Sequence, residues 1–76
     1  MLSYSYNMVL TVENFIKLYR TLKKGNDRQV VEKQLQKYDV SREQFHNYVS
    51  FIDDLDLNEE GIRVMFQEVR SGTLKL

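Results

Sequence analysis

Residues 30–52, VVEKQLQKYDVSREQFHNYVSFI, carry two helical periods separated by one short turn. Val31, Leu35 and Tyr38 recur at i, i+4 and i+7. Phe45, Tyr48, Val49 and Ile52 recur at i, i+3, i+4 and i+7, so each segment offers one apolar face of a helix. Ser41 opens the second segment, and its hydroxyl suits an N-cap because it can accept from an otherwise unpaired amide. Gln44 stands three residues on, as a capping box requires. Val40, just before the cap, is placed to pack on Phe45. The turn is therefore Tyr38-Asp39-Val40, and the chain around it has to fold as packed helices.

The flanking sequence repeats that grammar. Thr11 caps a helix over 11–24 whose apolar stripe is Val12, Phe15, Ile16, Tyr19 and Leu22. Lys17, Arg20 and Lys24 share its opposite face. Lys23 and Lys24 suit the negative end of the helix dipole, and Gly25 is a natural stop. Asn26 or Asp27 starts the next helix, which runs to Tyr38. The third spans 42–54. Asp56 or Asn58 caps a fourth over 59–71, with Ile62, Met65, Phe66 and Val69 facing inward and Gly72 ending it. Phe15, Tyr19, Leu35, Phe45, Val49, Ile52, Phe66 and Val69 are the expected buried residues. Residues 2–10 alternate instead: Leu2, Tyr4, Tyr6, Met8 and Leu10 share one face, the period of a strand. Its partner is either the tail 73–76 or the same strand of a second subunit. The expected fold is mainly α, a compact bundle of about four short helices plus that N-terminal strand. One domain covers 1–76: an arm over 1–10, a three-helix core over 11–54, the fourth helix over 59–71 and a tail over 72–76.

At 76 residues the core is small. Such a domain buries only about 60–65% of its unfolded surface, and oligomerisation is a common remedy. The net charge is zero, which speaks against a strongly electrostatic nucleic-acid binder. The average hides a split. Residues 1–38 hold seven basic and three acidic side chains, and residues 39–76 hold four and eight. Either a binding face or a self-complementary homodimer follows from that asymmetry. There is no cysteine, the start MLSYSYNMVL has no signal-peptide pattern, and no apolar run reaches membrane-spanning length. A cytoplasmic homodimer without membrane contact is the expectation.

Catalytic and metal sites find no support in the sequence. Asp54, Asp56 and Asn58 have the one-three-five spacing of an EF-hand loop, but Glu59 stands where glycine is needed and Met65 where the closing glutamate is needed. Asp56 or Asn58 as a helix cap explains the acidic link better, with Glu59 and Glu60 in the first turn. His46 is the one histidine and has no cysteine to share a zinc ion with. No nucleophile–base constellation or glycine-rich phosphate cradle exists. A non-enzyme without cofactor or metal is expected.

Residues 11–52 resemble the tri-helical helix-turn-helix domains of bacterial and phage regulators. LKKGNDRQVV matches the first turn and helix start, and YDVSREQFHNYV the turn and recognition helix. Where that family often has Gly-Val-Ser, this chain has Asp39-Val40-Ser41, aspartate being one of the few residues besides glycine that tolerate the left-handed region. Leu35 stands where the family has a small residue. The resemblance implies a regulator reading duplex DNA through helix 42–54. Ser41, Arg42, His46, Asn47 and Ser50 would face the bases, with Arg42 suited to guanine and Asn47 to adenine. Lys17, Arg20, Lys24 and Arg28 would contact phosphates. Asp53 and Asp54, at the end of the same helix, oppose a phosphate chain. They support the competing expectation: an adaptor or inhibitor that binds a protein through Phe51, Asp53, Asp54 and the acidic C-terminal half, or through the N-terminal strand edge.

Overall fold

The computed structural model describes residues 8–25 and 28–76. Residues 2–7 of the expected strand over 2–10 and the α2 start at Asn26 or Asp27 lie outside the described residues. Four helices follow in order: α1 (Val12–Gly25), α2 (Arg28–Leu35), α3 (Arg42–Leu55) and α4 (Glu59–Ser71). They pack into one compact all-helical globule, with no strand among the described residues.

The helix starts are set by side chains close in sequence. Thr11 Oγ1 accepts from the Asn14 amide at 3.2 Å, Ser41 Oγ from Gln44 at 3.0 Å, and Asn58 Oδ1 from Gly61 at 2.8 Å. Each bond satisfies an amide that the helix itself leaves unpaired. Two helices stop by the same device. Asp56 (φ 52°) and Gly72 (φ 84°) turn into the left-handed region just past α3 and α4. The following amides then reach back, Leu57 to the Ile52 carbonyl at 3.0 Å and Thr73 to the Glu68 carbonyl at 2.9 Å. The left-handed aspartate is thus Asp56, not Asp39, and Asn58 alone caps α4.

α2 ends at Leu35, three residues short of the expected Tyr38. The reason is a contact distant in sequence. The Met8 amide donates to the Lys37 carbonyl at 2.8 Å, and the Asp39 amide donates to the Met8 carbonyl at 2.9 Å. This single parallel bridge pairs Met8 with Tyr38, and the link between α2 and α3 fills residues 36–41. The tail 73–76 makes no strand bridge among the described residues. Its Thr73 and Leu74 amides both close onto the Glu68 carbonyl, while Leu74 and Leu76 lie half-buried on the core.

The core centres on Phe15, which has no exposed surface. Its ring lies 5.5 Å from Phe45, 5.5 Å from Tyr48 and 5.4 Å from Phe66, so one residue of α1 joins α3 and α4. Phe15, Leu35, Phe45, Val49, Ile52 and Phe66 are buried as the periodicity predicts. Tyr19 and Val69 are only half-buried. Tyr19 is drawn outward because its hydroxyl donates to Asp53 at 2.7 Å. Leu10 and Leu18 are buried in addition. Among the described residues no helix is long and apolar enough to cross a membrane.

Candidate interaction surfaces

α3 presents four side chains directly away from the core: Glu43, Asn47, Ser50 and Asp54, all exposed. The candidate base readers Asn47 and Ser50 therefore share their line with two carboxylates. Ser41 spends its hydroxyl oxygen on the cap bond from Gln44. Arg42 lies at the flank and pairs loosely with Glu32 of α2 at 3.5 Å. His46 is half-buried, its ring edge-on to Phe45. It lines a shallow cleft with Lys23, Arg28 and Asp53.

The basic ridge of α1 goes elsewhere. Lys17, Arg20 and Lys24 are exposed on one side of the helix, while Phe15 on the other side meets Phe45 and Tyr48 of α3. The two helices join through their inner faces, so the ridge points away from the outward face of α3. Arg20 is further engaged by Glu59 of α4 at 2.7 Å. Of the four residues expected on phosphates, Arg28 comes beside α3.

Several charges that read as free in the sequence are paired across the fold. Lys23 reaches Asp53 at 2.6 Å, and Tyr19 adds its hydroxyl. Arg63 holds Glu13 at 3.0 Å and Glu59 at 3.3 Å. These pairs are largely solvated and contribute little to stability, but Lys23–Asp53 links α1 to α3, and Arg63–Glu13 links α1 to α4. The Lys23 ammonium holds the Asp53 carboxyl below its usual range, against an opposing effect of burial and with a lesser contribution from the Tyr19 hydroxyl. Burial, then the bond to Asp53, pushes the Tyr19 phenol up to about 12.

Both shifts have a sign that stability measurements can read. A depressed carboxyl contributes stability that is complete above its unfolded value and is lost as pH falls through the folded one. A raised phenol contributes stability that is complete below its unfolded value and is lost as pH rises through the folded one. Asp53→Asn should therefore flatten the acid limb below about pH 4, and Tyr19→Phe the alkaline limb above about pH 10. Urea midpoints across pH test this, and identical limbs in variant and parent would refute the network.

Two features lie outside the sequence-derived candidates. Leu55 continues the α3 stripe by spacing, but the helix ends there, and its side chain is 56% exposed between the exposed Asp54 and Asp56. Phe51, by contrast, is half-buried against the core, and Asp53 is engaged by α1. Of the expected acidic contact, Asp54 stays accessible, and Leu55 and Asp56 adjoin it beside the outward line of α3. The second feature is an apolar groove of about 470 Å³ between residues 9–12 and α4. Val9, Val12 and Phe66 line it together with Thr11, Arg63, Gln67 and Arg70. Val9 falls on the minor face of the alternating segment, and Arg70 follows the α4 stripe by one residue, so neither stood out by spacing.

Among the described residues no three His, Asp or Glu side chains converge as metal ligands. No family model, no curated protein and no solved structure matches the chain.

Proposed function

We propose that this chain is a non-enzymatic protein-interaction module of the adaptor or inhibitor kind, without cofactor or metal. Its contact surface is Asp54, Leu55 and Asp56 together with the outward line of α3. One observation carries the reading: the solvent face of α3 is acidic, runs into an exposed leucine, and points away from the basic ridge of α1. A partner with a basic rim around an apolar pocket fits such a surface, because rim charges set orientation and rate while the buried apolar anchor supplies affinity. The Met8 bridge leaves Val9 exposed, and we keep the edge of this N-terminal segment as a second contact. A homodimer and a reducing, cytoplasmic setting, which suits a chain without cysteine, belong to the same proposal.

The test is capture of bound proteins from the chain's own cells by cross-linking. A stoichiometric partner should be recovered with the parent chain and with Lys17→Ala, and lost with Asp54→Lys and with Leu55→Ser. Equal recovery with all four would remove the assigned surface.

Duplex DNA binding by a helix-turn-helix-like unit of α2, residues 36–41 and α3 is the second reading. The observation in its favour is that Lys23 neutralises Asp53, so the end of α3 is less hostile to phosphate than its sequence suggests. In this arrangement Asn47 and Ser50 read bases, Arg42 and His46 flank them, and Arg28 replaces Lys17, Arg20 and Lys24 as the nearest phosphate contact. Phosphate contacts release counterions, so this reading requires affinity that falls steeply with salt. The interaction-module reading requires that no duplex be retained even at low salt.

A further inference from the structure

We propose that the groove between residues 9–12 and α4 is the docking site for the Leu55 knob of a second copy of this chain. The inference rests on the proposed contact surface and names its partner.

The two surfaces complement each other in shape class and in charge. The groove has apolar walls, Val9, Val12 and Phe66, and Val9 is 56% exposed. The Arg70 guanidinium stacks over the Phe66 ring at 4.9 Å and donates to the Leu10 carbonyl. Arg70 has no carboxylate partner among the described residues, whereas Arg63 beside it already holds two. The groove therefore offers apolar walls beside an arginine that forms no direct ion pair, held by the stack and the carbonyl, with the Asp39 carboxylate across the neighbouring cleft. The knob offers the converse. Leu55 projects from the end of α3, and neither Asp54 nor Asp56 has a cationic partner among the described residues. An exposed leucine between two unpaired carboxylates fits an apolar slot closed by an arginine.

The two surfaces share no residue. The groove lies where α4 faces the start of α1, and the knob lies at the link between α3 and α4. The complementarity is thus left to be satisfied between molecules. A second copy meets no long-range repulsion, since the net charge is zero. The small core gives association a further reason, because a domain of this size leaves much apolar surface in water.

Complementary variants decide the matter. Leu55→Ser removes the knob and leaves the groove, while Val9→Asp spoils the groove and leaves the knob. Both positions are more than half exposed, so the fold tolerates the changes, and circular dichroism with thermal melts verifies that it does. Sedimentation equilibrium of the parent chain at high micromolar concentration should show association. Each variant alone should associate about tenfold more weakly or worse, a loss of about 1.4 kcal/mol. An equimolar mixture should recover a one-to-one pair, because one variant supplies an intact groove and the other an intact knob. A monomeric parent, variants that associate like the parent, or a mixture that stays monomeric would each overturn the proposal. A monomeric parent that still captures another protein through Leu55 in cells leaves the interaction-module reading standing and removes only the self-association.

Discussion

Phe15→Ala should remove about 3–5 kcal/mol of stability, the range for an aromatic side chain deleted from a packed core. A chain of 76 residues has about 4–11 kcal/mol in total at ordinary per-residue values, so this one change takes about a quarter of it or more. The expectation rests on the ring's position. Phe15 is wholly buried and touches the rings of Phe45 and Tyr48 in α3 and Phe66 in α4. Phe15→Leu separates volume from aromatic geometry. It keeps most of the apolar bulk and loses the edge-on and tilted ring contacts, each worth about 0.5–1.5 kcal/mol beyond burial. Urea unfolding should therefore order the chains as parent, Phe15→Leu, Phe15→Ala. A loss below about 1 kcal/mol for the alanine variant would mean that the helices do not meet at this residue.

The four helices were legible because their signals are local. Ser41, Asn58 and Gly72 act on backbone groups within four residues, and the apolar stripes need only their own spacing. The departures from those signals come from contacts between distant parts of the chain. α2 stops at Leu35 because Met8 claims the Lys37 carbonyl and the Asp39 amide, a pairing across about thirty residues that no propensity encodes. Tyr19 belongs to the apolar stripe by spacing, yet its hydroxyl is pulled outward to Asp53. The candidate surface shows the same division. That Asn47, Ser50 and Asp54 face outward follows from the helical period. That Arg20 and Asp53 are already paired, with Glu59 and Lys23, does not, because the partners lie 39 and 30 residues away. The sequence thus displayed a basic half and an acidic half, and the fold converts parts of both into clamps between α1 and its neighbours. The charge left unpaired includes the outward line of α3, the link beyond it, and Arg70 on α4.

The segment before α1 carries the second large effect. Leu10 lies outside every helix, yet none of its surface is exposed. Its amide donates to the Asp39 carboxylate at 3.3 Å, and its carbonyl accepts from Arg70. One residue therefore holds the link between α2 and α3 against the end of α4, with its side chain plugged into the core between them. Leu10→Ala should cost about 2–5 kcal/mol, a loss usually associated with the middle of a helix. Val9 provides the control within the same three residues. Its side chain is 56% exposed, so Val9→Ala should change stability by no more than about 0.5 kcal/mol. The contrast between adjacent positions is what an extended segment docked by one face produces, since successive side chains point to opposite sides. Amide exchange adds a second readout: the Met8 and Asp39 amides bridge the two segments and should lose protection together in Leu10→Ala, while the Phe45 amide inside α3 stays slower. Small and equal losses at Leu10 and Val9 would show that residues 8–10 are not docked. The groove they form with α4 would then lose one of its walls.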